Sequence, residues 1–263
     1  MSAAAKTIAA AKVALLGGTF FALAPLQLLA LRLGWPLAGR LPVLFHRVAW
    51  KMLGLRVRQE GAMTAGRPLL IVSNHTSWLD IVTLGGVAPL SFIAKSEVST
   101  WPAVRTLARL QRTIFVDRAR RSATAKVAGS IGERLAGGDP IVLFGEGTTS
   151  DGHRTLPYRS ALIGAAQAIE GEAAALIQPV AIAYPRRNGL PVGRAGRSAI
   201  AWHGDMDLAP HLLALLGGGR IEAVVIWGEP VATGPGTDRK RLAAELAAWA
   251  GGAYAGAIHP PAK

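Results

Sequence analysis

From Pro68 onward, short apolar runs alternate with longer stretches whose apolar residues recur every three or four positions. The runs Leu69–Ser73, Ser91–Ala94, Thr113–Val116, Ile141–Phe144, Leu176–Ala183, Ser198–Trp202 and Ile221–Trp227 predict strands. The stretches Ala123–Ala136, Ala161–Glu170, Leu208–Leu216 and Asp238–Ala250 predict helices. This alternation predicts an α/β domain with a largely parallel sheet flanked by helices. Pro179 interrupts the run Ile177-Gln178-Pro179-Val180-Ala181-Ile182, which predicts an edge strand or a bulge. Pro185–Arg197, rich in Gly, Pro and Arg, reads as a loop.

The N-terminus follows a different pattern. Residues 13–33, VALLGGTFFALAPLQLLALRL, are nearly continuous in apolar character, with Lys6 and Lys12 before them and Arg32 and Arg40 at the far end. That length is close to the ~20 apolar residues that cross a bilayer. Gly17-Gly18, Pro25 and Gln27 interrupt it. A signal peptide has the same basic start and apolar centre, but no small-x-small cleavage pattern follows, so the segment predicts an uncleaved membrane anchor. Between positions 40 and 58, Leu41, Leu44, Phe45, Val48, Met52 and Leu55 recur at helical spacing, beside a stripe of Arg40, Arg47, Lys51 and Arg58. A second helix here suits the membrane interface, where basic side chains reach lipid phosphates. An amphipathic helix packed on the domain would show the same pattern. The expected division is residues 1–58 as a membrane-associated helical segment and 59–263 as the α/β domain.

Composition sharpens this. Lys and Arg number 29 against 16 Asp and Glu, a net charge of +13, while 51% of the 263 residues are hydrophobic. A basic chain predicts an anionic partner. The apolar content favours an anionic membrane, and no nucleic-acid module is recognisable, so nucleic acid is not expected as a partner. Cysteine is absent, which excludes disulfides, thiolate nucleophiles and cysteine-ligated metals.

Three stretches carry candidate chemistry. In Leu69-Leu70-Ile71-Val72-Ser73-Asn74-His75-Thr76-Ser77-Trp78-Leu79-Asp80, a strand leads through a turn into a helix, with Thr76 and Ser77 suited to cap it. Residues five apart in one helix point away from each other. With His75 in the turn, its ring can fold back toward Asp80. A carboxylate on one ring nitrogen fixes the tautomer and leaves the other nitrogen to take a proton. A surface loop with a capping Asp would use the same residues.

Ile114-Phe115-Val116-Asp117-Arg118 delivers Arg118 to a strand end, where ligands bind in open α/β sheets. Arg118 could fork onto a phosphate or carboxylate, or simply pair with Asp117. Val142-Leu143-Phe144-Gly145-Glu146-Gly147-Thr148-Thr149-Ser150-Asp151-Gly152 ends a strand in a turn dense with Gly and hydroxyl groups. Gly145 and Gly147 would let backbone N–H groups face developing negative charge, with Glu146 between them. A polar turn with Glu146 on a helix dipole is the plainer account. No G-x4-GK[ST] phosphate loop is present. His203, Asp205 and Asp207 read as a polar loop capping the next helix, so no metal site is expected. Ala128-Gly129-Ser130-Ile131-Gly132 lacks the first Gly and the strand of a serine elbow.

Taken in order, NHTSWLD, IFVDR, LFGEGTTSDG and IQPVAI resemble the four blocks of the glycerolipid acyltransferase family, which includes the lysophosphatidate acyltransferases. The resemblance implies transfer of a fatty acyl group from an acyl carrier protein or coenzyme A thioester to the hydroxyl of a lysolipid. It implies no cofactor beyond that co-substrate, and a site at the cytoplasmic face of the inner membrane. By matching position, His75 is the general base and Asp80 its orienting partner. Arg118 binds the acceptor's anionic headgroup. Gly145, Glu146, Gly147, Thr148 and Thr149 belong to the block that positions the acceptor, and Pro179 shapes the donor or acyl region. The family's third block usually reads Phe-Pro-Glu-Gly-Thr-Arg. Here Gly145 stands for the Pro, and Thr149 for the Arg that contacts phosphate. The variant GEGTTSDG, with Ala201-Trp202-His203-Gly204-Asp205-Met206-Asp207-Leu208, resembles the bacterial branch that acylates lyso-ornithine lipid, whose headgroup is an amino acid. Lyso-ornithine lipid is therefore the expected acceptor and 1-acyl-sn-glycerol-3-phosphate the alternative. A non-catalytic lipid-binding protein would leave the His75–Asp80 spacing without a purpose.

Overall fold

A computed structural model describes residues 3–65, 68–116, 129, 131–135, 137–163, 175–234 and 236–259. Among these, nine strands form one sheet: β1 (Leu55–Glu60), β2 (Leu69–Ser73), β3 (Ser91–Lys95), β4 (Ile114–Val116), β5 (Ile141–Phe144), β6 (Ala175–Arg187), β7 (Leu190–Pro191), β8 (Ile221–Trp227) and β9 (Val231–Thr233). The order is β1-β8-β6-β2-β5-β3-β4, with β7 and β9 also on β6. Along that path only the β6–β8 pairing is antiparallel.

The helices are α1 (Ala3–Arg32), α2 (Leu37–Leu53), α3 (Leu79–Val87), α4 (Pro102–Leu110), α5 (Ser160–Ile163), α6 (Arg194–Ile200), α7 (Leu208–Leu216) and α8 (Arg239–Ile258). They cover both faces of the sheet, which is why its central strands are apolar throughout. Leu69 and Ile71 of β2 join α2, α3 and α7 in one core. Leu70 and Val72 point the other way, into a core with α8 and the helical residues 131–135. Because β2, β3, β4 and β5 are parallel, the turns after them open along one edge of the sheet.

Several expectations change. The second helix stops at Leu53 because Gly54 takes a left-handed conformation (φ 67°) and turns its N–H back onto the carbonyls of Lys51 and Trp50. Leu55 then begins β1, whose Leu-Arg-Val-Arg alternation has a strand's period, so the sheet begins before position 58. Residues 198–202 are not a strand. Arg194–Ile200 is helical, and the buried Ile200 and Ala201 account for the apolar run. A short apolar run does not by itself separate a strand from a buried helix. Nor is the Pro179 strand an edge: β6 lies between β2 and β8. Pro179 pairs with Val72 on one side. On the other it falls where the partner changes from β9, at Ile177, to β8, at Val180, so its missing N–H interrupts no ladder there. The helix expected to end at Ala250 runs on to Ile258. Most of the helices expected over 123–136 and 161–170 lies outside the described residues.

α1 is one continuous helix through Gly17-Gly18 and Pro25. Lys6–Arg32 is the one stretch among the described residues long and apolar enough to cross a membrane. Lys12 Nζ donates to Leu216 O at 2.8 Å, and Gln27 Nε2 donates to Ala38 O at 2.9 Å and Leu110 O at 2.8 Å. Ala9, Gln27 and Ala30 are buried, whereas Leu15, Phe21, Leu28 and Leu29 are exposed.

Candidate active site

At the end of β2 the chain leaves the sheet through Asn74. Its side chain pairs with Ile182 of β6 as a backbone unit would, accepting from Ile182 N at 2.8 Å and donating to Ile182 O at 3.0 Å. This holds the next residue, His75, in a fixed turn. His75 Nδ1 lies 2.8 Å from Asp80 Oδ2. The imidazole stacks on Phe144, the last residue of β5, with ring centroids 3.8 Å apart and 12° between planes. Stacking on one face and the carboxylate at one edge fix the ring plane. The side chain keeps 17% exposure, and Nε2 has no protein partner among the described residues.

Asp80 is fully buried in the first turn of α3. Oδ2 also accepts from the N–H groups of Thr76 (2.7 Å) and Ser77 (2.9 Å), and Oδ1 accepts from Tyr184 Oη (2.7 Å). The expected capping is thus reversed. Thr76 and Ser77 offer backbone donors, and Asp80 reaches back to them, as in a capping box. Four donors around a buried carboxylate compensate its charge and hold it as an acceptor.

Glu146 follows β5 and is buried. Oε1 accepts from His75 N at 3.3 Å, while Oε2 has no hydrogen-bond partner among the described residues. Burial outweighs its backbone hydrogen bonds from Leu156 and His75 and pushes the carboxyl up to about 8. At neutral pH it is an acid able to donate. Burial likewise raises the Tyr158 hydroxyl far above its ordinary range.

The glycines serve differently from the expectation. Gly145 N–H donates to Ser73 O at 2.9 Å and Gly147 N–H to Phe144 O at 3.1 Å, so neither is turned outward as an oxyanion donor. Gly147 supplies a left-handed turn (φ 71°), and Gly145 supplies closeness to Tyr158. Thr148 is exposed and Thr149 half-buried on the same turn. Ser150 N–H donates to His75 O at 2.8 Å, tying the third block to the first. Pro179 lies inside the sheet opposite Val72. β4 reaches the same sheet edge at Val116, but Asp117 and Arg118 lie outside the described residues, as does Ser130. Asp207 occupies the N-cap position of α7 without a capping hydrogen bond. Among the described residues no group of three His, Asp or Glu is placed to hold a metal ion.

Sequence reasoning missed Tyr184, Phe144 as the stacking surface, the Asn74 clamp and Trp202, whose backbone N–H donates to Thr76 O at 2.9 Å. The available signal for Tyr184 was a tyrosine directly after an apolar strand, since a buried tyrosine hydroxyl needs a partner.

Comparison with known proteins identifies the family. Residues 54–183 match the family model described as "Acyltransferase". A lyso-ornithine lipid O-acyltransferase of Brucella abortus is 51% identical over 226 residues, 84% of each chain. One of Rhizobium meliloti is 44% identical over 223 residues, 84% of this chain and 76% of that one. The crystal structure of the 1-acyl-sn-glycerophosphate acyltransferase PlsC of Thermotoga maritima shares the fold, with a TM-score of 0.53 at 23% identity over 80% of this chain and 76% of that one. A strand-turn-helix that pairs His75 with Asp80, set within that fold and that degree of similarity, shows that the chain belongs to the acyltransferase family.

Proposed function

We propose that this enzyme is a lyso-ornithine lipid O-acyltransferase. It moves a fatty acyl group from an acyl carrier protein or coenzyme A thioester to the acceptor's free hydroxyl, at the cytoplasmic face of the inner membrane. The observation that carries the chemistry is the 2.8 Å contact between His75 Nδ1 and Asp80 Oδ2, which leaves Nε2 to act. The two relatives that carry the name of this activity support the choice of acceptor, as does Thr149 at the position of the family's phosphate-binding Arg.

In this reading Asp80 holds the proton on Nδ1, and Nε2 takes the proton of the acceptor hydroxyl. The oxygen attacks the thioester carbonyl, the C–S bond breaks, and the thiolate leaves with the proton from Nε2. A positioned base of this kind contributes ~10²–10⁴ in rate. Glu146, kept neutral by burial, donates from Oε2 to an oxygen of the reacting pair. Thr148 and Thr149 meet the headgroup from the exposed side of the turn, with Arg118 on its carboxylate. Pro179 acts by shaping the sheet beneath. Backbone N–H groups other than those of Gly145 and Gly147 receive the oxyanion.

α1 supports the location. Lys12 and Gln27 are ~22 Å apart along a helix, and both are tied to the domain. The helix therefore lies along the protein, with Leu15, Phe21, Leu28 and Leu29 on its free side. A helix apolar on every side needs an apolar medium where protein does not cover it. An anchor lying in one leaflet keeps both ties. A helix projecting away from the domain would break them.

The test is an acceptor panel with purified protein and an acyl-carrier-protein donor, setting lyso-ornithine lipid against 1-acyl-sn-glycerol-3-phosphate. Preferred acylation of lyso-ornithine lipid is expected. Exclusive use of the phosphate acceptor would overturn the reading of Thr149 and of the acceptor.

A further inference from the structure

We propose that Tyr184 is a positioning residue for the reaction, its hydroxyl fixing the outer oxygen of Asp80 and thereby the basicity of the His75–Asp80 pair. This rests on the reading of His75 as general base.

The four donors around Asp80 are unevenly divided. Oδ2 takes three: His75 Nδ1 and the N–H groups of Thr76 and Ser77. Oδ1 takes one among the described residues, Tyr184 Oη at 2.7 Å. Both residues are buried, so no solvent stands ready to replace that hydroxyl. The placement is built in from two sides. Asn74, directly before His75, clamps both backbone groups of Ile182. Two residues further along a strand the side chain returns to the same face, and Tyr184 joins the core that contains Leu79 of α3. From α3, Thr83 Oγ1 lies 3.4 Å from Tyr184 Oη. The pairing of β6 with β8 shifts register across Tyr184 itself, between Ala183 and Arg186. Such irregularities beside active sites aim a side chain.

A hydroxyl donating to a carboxylate stabilises its charge and lowers its pull on a proton. Removing the hydroxyl strengthens that pull on the Nδ1 proton, so the imidazolium holds its protons to higher pH. The base form then appears later as pH rises. Other ionisable groups face the pair. Tyr254 of α8 is raised to about 12 by burial and the Asp80 charge, and burial likewise raises Tyr184 itself, so both remain donors in the working range. Glu146, after β5, titrates on the alkaline side of neutrality. The acid limb of a pH profile is therefore the sensitive one.

The experiment compares Tyr184→Phe and Thr83→Val with the unaltered full-length chain, using lyso-ornithine lipid and an acyl-carrier-protein donor across the pH range. For Tyr184→Phe, kcat is expected to fall about tenfold with the acceptor KM within about twofold, and the acid limb of kcat/KM to move up by roughly half to one pH unit. Thr83→Val, which loosens the hydroxyl without removing it, should give a smaller shift in the same direction. Acid limbs that superimpose on that of the unaltered enzyme would overturn the proposal. If Tyr184→Phe does not fold, an unshifted limb in Thr83→Val overturns it alone. Loss of activity in His75→Ala beside an unshifted Tyr184→Phe would sink this inference only. Full activity in His75→Ala would sink the general-base reading beneath it.

Discussion

The ring of Tyr158 lies so close over Gly145 that a β-carbon there would sit 2.6 Å from its Cγ and Cδ2. At the same residue the N–H is spent on Ser73 O. The Gly that replaces the family's usual Pro is thus matched to its surroundings twice: a side chain has no room, and the N–H has a partner. Gly145→Ala should destabilise the protein by about 1–3 kcal/mol through overpacking. Gly145→Pro should cost more, because it also leaves Ser73 O unpaired. Urea unfolding of the two variants tests the order. A Pro variant as stable as the unaltered chain would contradict it.

Glu146 gives a pH dependence whose sign is fixed by burial. The unfolded chain releases this proton near the ordinary carboxyl value of 4.5, and the folded protein holds it up to about 8. Between those values the folded state binds more protons, so its contribution to stability declines as pH rises and levels off above about 8. Glu146→Gln removes the titrating group. The variant should gain stability relative to the unaltered protein on going from about pH 5 to about pH 8, read as the shift in urea midpoint. Because the neutral acid is the proposed donor, activity of the unaltered enzyme should also fall on the alkaline side as Glu146 ionises. A midpoint difference independent of pH would contradict the assignment.

The free face of α1 predicts how the chain meets a membrane. Phe21 and Leu28 are exposed in the protein, and a charge at either place would have to enter the leaflet. Phe21→Asp with Leu28→Asp should shift the protein from the membrane pellet toward the supernatant of anionic vesicles, while its unfolding midpoint stays close to that of the unaltered chain. Unchanged sedimentation would count against an anchor lying on this face.

Much of the site was legible because its central pair is local. His75 and Asp80 are five residues apart, and a strand-turn-helix pattern is enough to bring them together. The parallel sheet was legible because apolar runs such as Leu69–Ser73 have few alternatives when helical patterns separate them. Tyr184 was not, since it meets Asp80 across 104 positions of sequence, and nothing near either residue encodes that approach. The roles of Gly145 and Gly147 were misjudged for a related reason. Residue type says that a backbone can bend, but only the fold says which carbonyl its N–H has already met. Residues 198–202 failed at the plainest level, where a short apolar run fits a buried helix as well as a strand.

The general-base role of His75 is tested most directly by acyl transfer to lyso-ornithine lipid in His75→Ala, measured beside its unfolding midpoint and membrane sedimentation. The imidazole contributes a ring on Phe144 and one hydrogen bond to Asp80, while the turn is held by Asn74 and the Asp80 cage. The fold and membrane binding should therefore survive. Transfer should fall by ~10²–10⁴, the range for loss of a positioned base. A folded, membrane-bound His75→Ala that acylates at the rate of the unaltered enzyme would contradict the account.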